Sequence, residues 1–152
     1  MSSQRPISSF FSIFLLSITL LSCASGDKET MNTTNSDASV SDQINSLIAA
    51  DQYTEALALL DTFEESEEVL KLKEMTHLNF GLFLEYRDSN VTNMRDKMNN
   101  ALREYVKVLR INPNNEKAIT EIEQILGIYA TFGNRTPDED VVNDLNELGF
   151  TL

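Results

Sequence analysis

From residue 42 onward, apolar side chains recur every three or four positions, the spacing of one face of an α-helix. Ile44, Leu47 and Ile48 open the series, with Ser41 placed to act as an N-cap. After a break at Asp51-Gln52, Tyr53, Ala56, Leu57, Leu60 and Phe63 continue it to the acidic run Glu64-Glu65-Ser66-Glu67-Glu68. Carboxylates complement the positive end of a helix dipole, so this run predicts a helix start. The next helix is expected from about Glu67 to Arg87, and its second half, Leu78 to Tyr86, is apolar on nearly every side. That pattern predicts a central helix, buried between neighbours.

Asp88 to Thr92 reads as a loop, followed by a long amphipathic helix carrying Met94, Met98, Ala101, Leu102, Tyr105 and Leu109. Asn112-Pro113 ends it, because proline lacks the amide hydrogen and restricts the residue before it. Ala118, Ile119, Ile122, Leu126 and Tyr129 mark another helix, stopping near Gly133. The last helix has strong boundary signals. Thr136 and Glu139 are spaced as a capping box, Pro137 suits the first helical position, and Gly149 suits the closing one. No stretch after Asp42 alternates like a strand for long. The expectation is an all-α domain of about six helices arranged in pairs.

Upstream the pattern changes. Phe10 to Leu21 is apolar apart from Ser12, Ser17 and Thr19, after a polar start with one positive side chain, Arg5. A charged start, a short apolar segment and a small-residue exit make the layout of a secretory signal. Spanning a bilayer takes about 20 apolar residues, so the run is too short for a comfortable transmembrane helix. Residues 24–41 are rich in Ser, Thr, Asn and Asp and nearly devoid of large apolar residues. Such a segment cannot bury enough surface to offset the entropy of ordering it, and it is expected to be a flexible tether. The chain is therefore divided into residues 1–22, a signal; 23–41, a tether; and 42–152, one helical domain with a modest core.

The formal net charge is −12. Nucleic acid repels such a chain, since its binding needs clustered Lys and Arg. The sole cysteine, Cys23, precedes the domain, so neither a disulfide nor a cysteine metal site is available within it.

Leu20-Leu21-Ser22-Cys23 resembles the lipobox of bacterial lipoprotein signals. That resemblance implies cleavage before Cys23, lipid on its thiol and new amine, and a membrane-anchored protein of the cell envelope. Ala24 carries no acidic retention cue, which tilts the expectation toward the outer membrane. An ordinary secretory signal cleaved nearby is the alternative.

Three fragments fit one template: Tyr53-Thr54-Glu55-Ala56-Leu57; Ala101-Leu102 through Tyr105 to Asn112-Pro113; and Ala118-Ile119 with Ile122. They resemble the tetratricopeptide repeat (TPR). Its second-helix alanine falls on Ala56 and Ala101, its aromatic residue on Tyr105, and its closing proline on Pro113. The large residue–glycine pair of its first helix falls on Phe80-Gly81. The resemblance covers about residues 40–131 and implies a short TPR-like solenoid of helical hairpins, closed by a capping helix at 136–149. The second unit departs from the family, because Gly81 and Ala101 stand 20 residues apart, about eight more than the template has. A bundle with only one or two true repeats is the alternative.

Candidates for chemistry are few. His77, the sole histidine, lies at a packing position in an apolar helix and reads as a core histidine with one nitrogen hydrogen-bonded. Catalytic zinc generally needs two or three histidines. Glu64, Glu65, Glu67 and Glu68 read as a solvated face, and no phosphate loop, calcium loop or nucleophile elbow occurs. No catalytic residue, metal or cofactor is expected. In the repeat family, first-helix residues line a concave surface that receives partner peptides. Carried over by position, these are Met75, Leu78, Leu82 and Glu85, then Lys117, Thr120 and Gln124.

Between Arg87 and Arg110 six basic residues face three acidic ones, and Arg103, Lys107 and Arg110 share a helix face. That face reads either as solvated surface or as a site for anionic head groups or an acidic partner. The expected function is a lipid-anchored, non-catalytic protein-interaction module of the envelope. The alternatives are a carboxylate-dependent envelope enzyme or its accessory subunit, and a purely structural lipoprotein.

Overall fold

A computed structural model describes the backbone of residues 34–133 and 135–151, and side chains from Val40 onward. Cys23, the expected signal segment and residues 24–33 lie outside the described residues. The described chain holds six α-helices: α1 Thr34–Ala49, α2 Tyr53–Leu60, α3 Glu67–Leu82, α4 Met94–Ile111, α5 Glu116–Thr131 and α6 Glu139–Glu147. A π-helical turn, Phe83–Arg87, continues α3 without a break. No strand occurs among the described residues. The protein is all-α.

Most boundaries follow the sequence signals. Ser66 caps α3, its Oγ accepting the Val69 N–H at 3.2 Å, with Glu67 and Glu68 in the first turn. Asn93 and Asn115 cap α4 and α5 in the same way. α4 stops at Asn112, before Pro113. Behind α6, Gly149 adopts φ +90°, with the Phe150 N–H on the Leu145 carbonyl and the Gly149 N–H on that of Asn146. This is a Schellman closure, and Phe150 packs on the core cluster that includes Leu145. Asp51, at φ +58°, closes α1 with the same two bonds to Leu47 and Ile48.

Two boundaries differ. α1 begins at Thr34, so helix extends through the last eight residues of the expected tether, and Ser41 lies inside α1 rather than capping it. Val40 supplies the reason: it carries the stripe of Ile44, Leu47 and Ile48 one turn upstream and packs on the same cluster. The expected capping box of Thr136 and Glu139 is not made either, because α6 starts after Asp138. The Asp138 N–H is bonded to Asn99 Oδ1 at 3.0 Å, and its carboxylate is held by Arg95 and Arg103. Those contacts keep the chain extended through Asp138.

Each of the first five helices packs on its sequence neighbour, α1 also reaches α3, and α6 lies on α4. The interface between α3 and α4 is the most extensive. A smaller apolar cluster joins Ile44, Ala56, Leu60, Val69 and Leu72; a larger one is built around Leu102, Tyr105, Ile122, Ile125, Val141 and Leu145. α3 bridges them, Met75 packing on the first and Leu78 and Leu82 on the second. Although α3 is central, its apolar second half is not enclosed: Leu78, Leu82, Phe83 and Leu84 are half-buried and Tyr86 is exposed.

Gly81 sets the spacing at the central interface. A Cβ there would lie 2.4 Å from Cε1 of Tyr105, whose side chain is fully buried. Gly81→Ala gains up to about 1 kcal/mol of helix propensity and incurs about 1–3 kcal/mol of overpacking. The ring has nowhere to move, so overpacking should win. The expected result is a net loss of about 1–2 kcal/mol in denaturant unfolding, smaller when Tyr105 is also replaced by leucine.

Candidate functional site

Lys71, Met75, Leu78, Leu82 and Glu85 recur along α3 at intervals of three and four, a single helix face. At its N-terminal end a groove of about 480 Å³ opens between α1 and α3, beside the start of α5. Leu72, Met75 and Leu78 supply its apolar wall, Ser41 and Asn45 come from α1, and Glu68, Lys71 and Glu74 stand along it. The groove is held from the far side. Glu74 Oε1 accepts from the side-chain amides of Asn112 and Asn115, both at 2.7 Å, while Asn115 Oδ1 caps α5. One carboxylate thus fixes the α4–α5 turn against α3.

The C-terminal end of the stripe is the π turn, where the Asp88 N–H bonds the Phe83 carbonyl five residues back at 2.9 Å. Single π turns are often found at functional sites. Here the turn fans three consecutive side chains toward three different helices. Glu85 Oε2 accepts from the Tyr105 hydroxyl of α4 at 2.8 Å. Tyr86 donates to Glu121 of α5 at 2.7 Å and accepts from Gln124 at the same distance. Arg87 turns back to Asp51 at 2.8 Å and to the Tyr53 hydroxyl at 2.9 Å, and lies over the Phe83 ring. Tyr53 in turn stacks on Phe80. Lys117 pairs with the other oxygen of buried Glu121.

This network brings together three of the residues marked by sequence, Glu85, Lys117 and Gln124. The other four stand apart from it: Met75 and Leu78 line the groove, Leu82 packs on the larger core cluster, and Thr120 bonds the Glu116 carbonyl of its own helix. Sequence reasoning passed over Tyr86, Glu121, Glu68, Lys71 and Glu74. The first two depend on the π turn, which has no sequence signal; Lys71 was available from the spacing of the stripe.

Burial raises the pKa of the Glu85 carboxyl, and the nearby charge of Glu121 adds to the rise, against the hydrogen bonds of Tyr105 and Tyr86. Burial and the same carboxylates push the Tyr86 and Tyr105 hydroxyls up, keeping both as neutral donors. Each carboxylate of this pair accepts a tyrosine hydroxyl, and Glu121 also holds a lysine. Among the described residues no group of His, Cys, Asp or Glu is arranged to hold a metal ion.

His77 sits at the α3–α4 interface with Nδ1 2.7 Å from Oε2 of buried Glu104, whose other oxygen pairs with Lys107. Burial raises the Glu104 pKa, but the bonds from His77 and Lys107 outweigh it and the net shift is downward.

The basic face of α4 is already occupied. Arg95 and Arg103 hold Asp138; Arg103 also holds Asp140 at 2.8 Å; and Arg110 holds Asp144. Lys107 is paired with Glu104. Carboxylates of α6 and its N-cap thus pair with the three arginines of this face, while Lys107 pairs within α4.

No family model matches the chain, and neither a curated protein nor a solved structure is significantly similar to it.

Two outcomes follow from these contacts. Because the Glu104 pKa is depressed in the fold, its contribution is complete above its ordinary value of 4.5 and is lost as pH falls below that. Glu104→Gln should destabilise the protein by about 1–3 kcal/mol at pH 7, since it weakens two buried bonds. Its deficit relative to wild type should shrink in urea melts below that value. The raised Glu85 acts in the opposite sense, its contribution falling as pH rises above 4.5. Separately, the exposed pairs of Arg103 are screened by water and should add little to global stability. Arg103→Ala should therefore speed hydrogen exchange in α6 while leaving the α3–α4 core nearly unchanged.

Proposed function

We propose that this is a lipid-anchored protein of the bacterial cell envelope that binds a protein or peptide partner without catalysis, through TPR-like helix pairs. In this reading α1–α2 form the first pair and α3–α4 the second, with the π turn and residues 88–93 taking up the extra length between Gly81 and Ala101. α5 opens a third unit, and α6 caps the stack. The close approach of Gly81 to Tyr105 supports the assignment, since the repeat depends on a small residue facing a bulky one. The observation that carries the function is the half-exposed apolar stripe of α3, with its groove beside α1. An open apolar groove along a helix suits an inserted helix face.

Cys23 lipid holds the chain at a membrane, the outer membrane being preferred, and the polar segment after it gives reach. Stable anchoring requires more than one acyl chain. The rival reading, a carboxylate-dependent enzyme or its accessory subunit, would have to use Glu85 and Glu121. Both are already engaged by tyrosine hydroxyls.

Cys23→Ser should move the protein from the membrane to the soluble fraction; persistence in membranes after a high-salt wash would rule out the lipid anchor. A photocrosslinking residue at Leu82 should capture an envelope protein that the same residue at exposed Ala58 of α2 does not. Equal capture at both positions would rule out the stripe as the binding surface.

A further inference from the structure

Resting on that reading, we infer that the α1–α3 groove receives a cationic amphipathic segment: apolar side chains on Leu72, Met75 and Leu78, with Lys or Arg beside Glu68 and Glu74. The inference comes from the way charge is distributed over the fold. The described residues contain ten Lys and Arg, and seven of them are in ion pairs. Lys73 and Arg87 tie neighbouring elements, Lys107 and Lys117 pair within their own helices, and Arg95, Arg103 and Arg110 fasten α6. These cations remain partly exposed but are matched by carboxylates of the same chain, and the described carboxylates outnumber them, leaving an acidic excess.

Part of that excess lies at the groove. Glu68 and Glu74 line it, exposed Glu64, Glu65 and Glu67 precede it on the approach to α3, and Glu116 stands at the start of α5. Among the described residues Lys71 is the one cation lining the groove, and it makes no ion pair with another of them. Glu74 cannot turn away, because two asparagine amides hold one of its oxygens. A partner with acidic flanks would meet repulsion around most of the rim. One with basic flanks is steered in, and its apolar face supplies the contact area.

The test uses the full-length chain with an amphipathic Leu/Lys peptide of about three helical turns. A Leu/Glu twin and an Ala/Lys twin serve as comparisons, with dissociation constants measured by fluorescence anisotropy. The Leu/Lys peptide should bind at least tenfold tighter than either twin. Glu68→Lys should weaken it about fivefold to tenfold, Lys71→Glu should tighten it by a similar factor, and exposed Glu139→Lys on α6 should leave it unchanged. Glu68, Lys71 and Glu139 are surface positions, so these variants retain the fold.

Equal affinity of the Ala/Lys twin, or equal weakening by Glu139→Lys, would reduce the effect to the protein's overall charge and overturn the inference. So would tighter binding of the Leu/Glu twin, or no binding of the Leu/Lys peptide. If crosslinking at Leu82 still captured a partner in those cases, the interaction role would stand and only the assigned partner chemistry would fall. Failure of both would remove the two together.

Discussion

The packing of the Tyr105 ring against the bare backbone of Gly81 is the contact on which the rest depends. It draws α3 and α4 closer than any side chain at residue 81 would allow, and it leaves the tyrosine hydroxyl buried at the interface. A buried hydroxyl needs a partner. The partner is Glu85, one turn along α3 from the glycine. Its carboxylate is therefore pulled toward α4 and away from solvent, which is why burial raises its pKa. A packing choice at one residue thus sets the protonation behaviour of another on the candidate binding face.

The π turn relates to the same constraint. With Glu85 committed to α4, a regular helix would place Tyr86 and Arg87 at 100° steps from it. The wider turn lets Tyr86 reach Glu121 of α5 while Arg87 returns to Asp51 and Tyr53. Three helices are tied to one turn of backbone. Cross-links of this kind hold the start of α2 and the middle of α5 to the centre. Asp51 takes part by adopting a left-handed conformation that glycine would adopt more easily. Its carboxylate bonds both Tyr53 and Arg87, contacts that glycine would lack.

The helical class and most helix ends were legible in the sequence because caps, prolines and apolar periodicity are local signals. Ser66, Asn112-Pro113 and Gly149 act where their chemistry places them. The misread boundaries share a cause: distant contacts overrode local ones. Thr136 and Glu139 have capping-box spacing, yet Asn99 and two arginines of α4 hold Asp138 extended. At α1, one additional apolar residue, Val40, decided the helix start over a polar segment whose composition favours disorder. For the site, the repeat resemblance named Glu85, Lys117 and Gln124 as separate positions. It could not reveal that they bond into one network, because that depends on a π turn. Nor could it show that Arg103, Lys107 and Arg110 face acidic partners within the chain.

That last point changes how the acidity of the protein should be read. A net charge of −12 with basic residues scattered between would give a patchwork surface, attractive to partners of either sign. Here α6 covers the cationic side of α4, while other pairs occupy Lys73, Arg87 and Lys117. Carboxylates outside those pairs, Glu68 at the groove among them, set the outer field. The stripe from Lys71 to Glu85 is the surface that joins an apolar floor to fixed carboxylates at both ends. Packing at Gly81 thereby bears on that face, because it positions the distal carboxylate, Glu85.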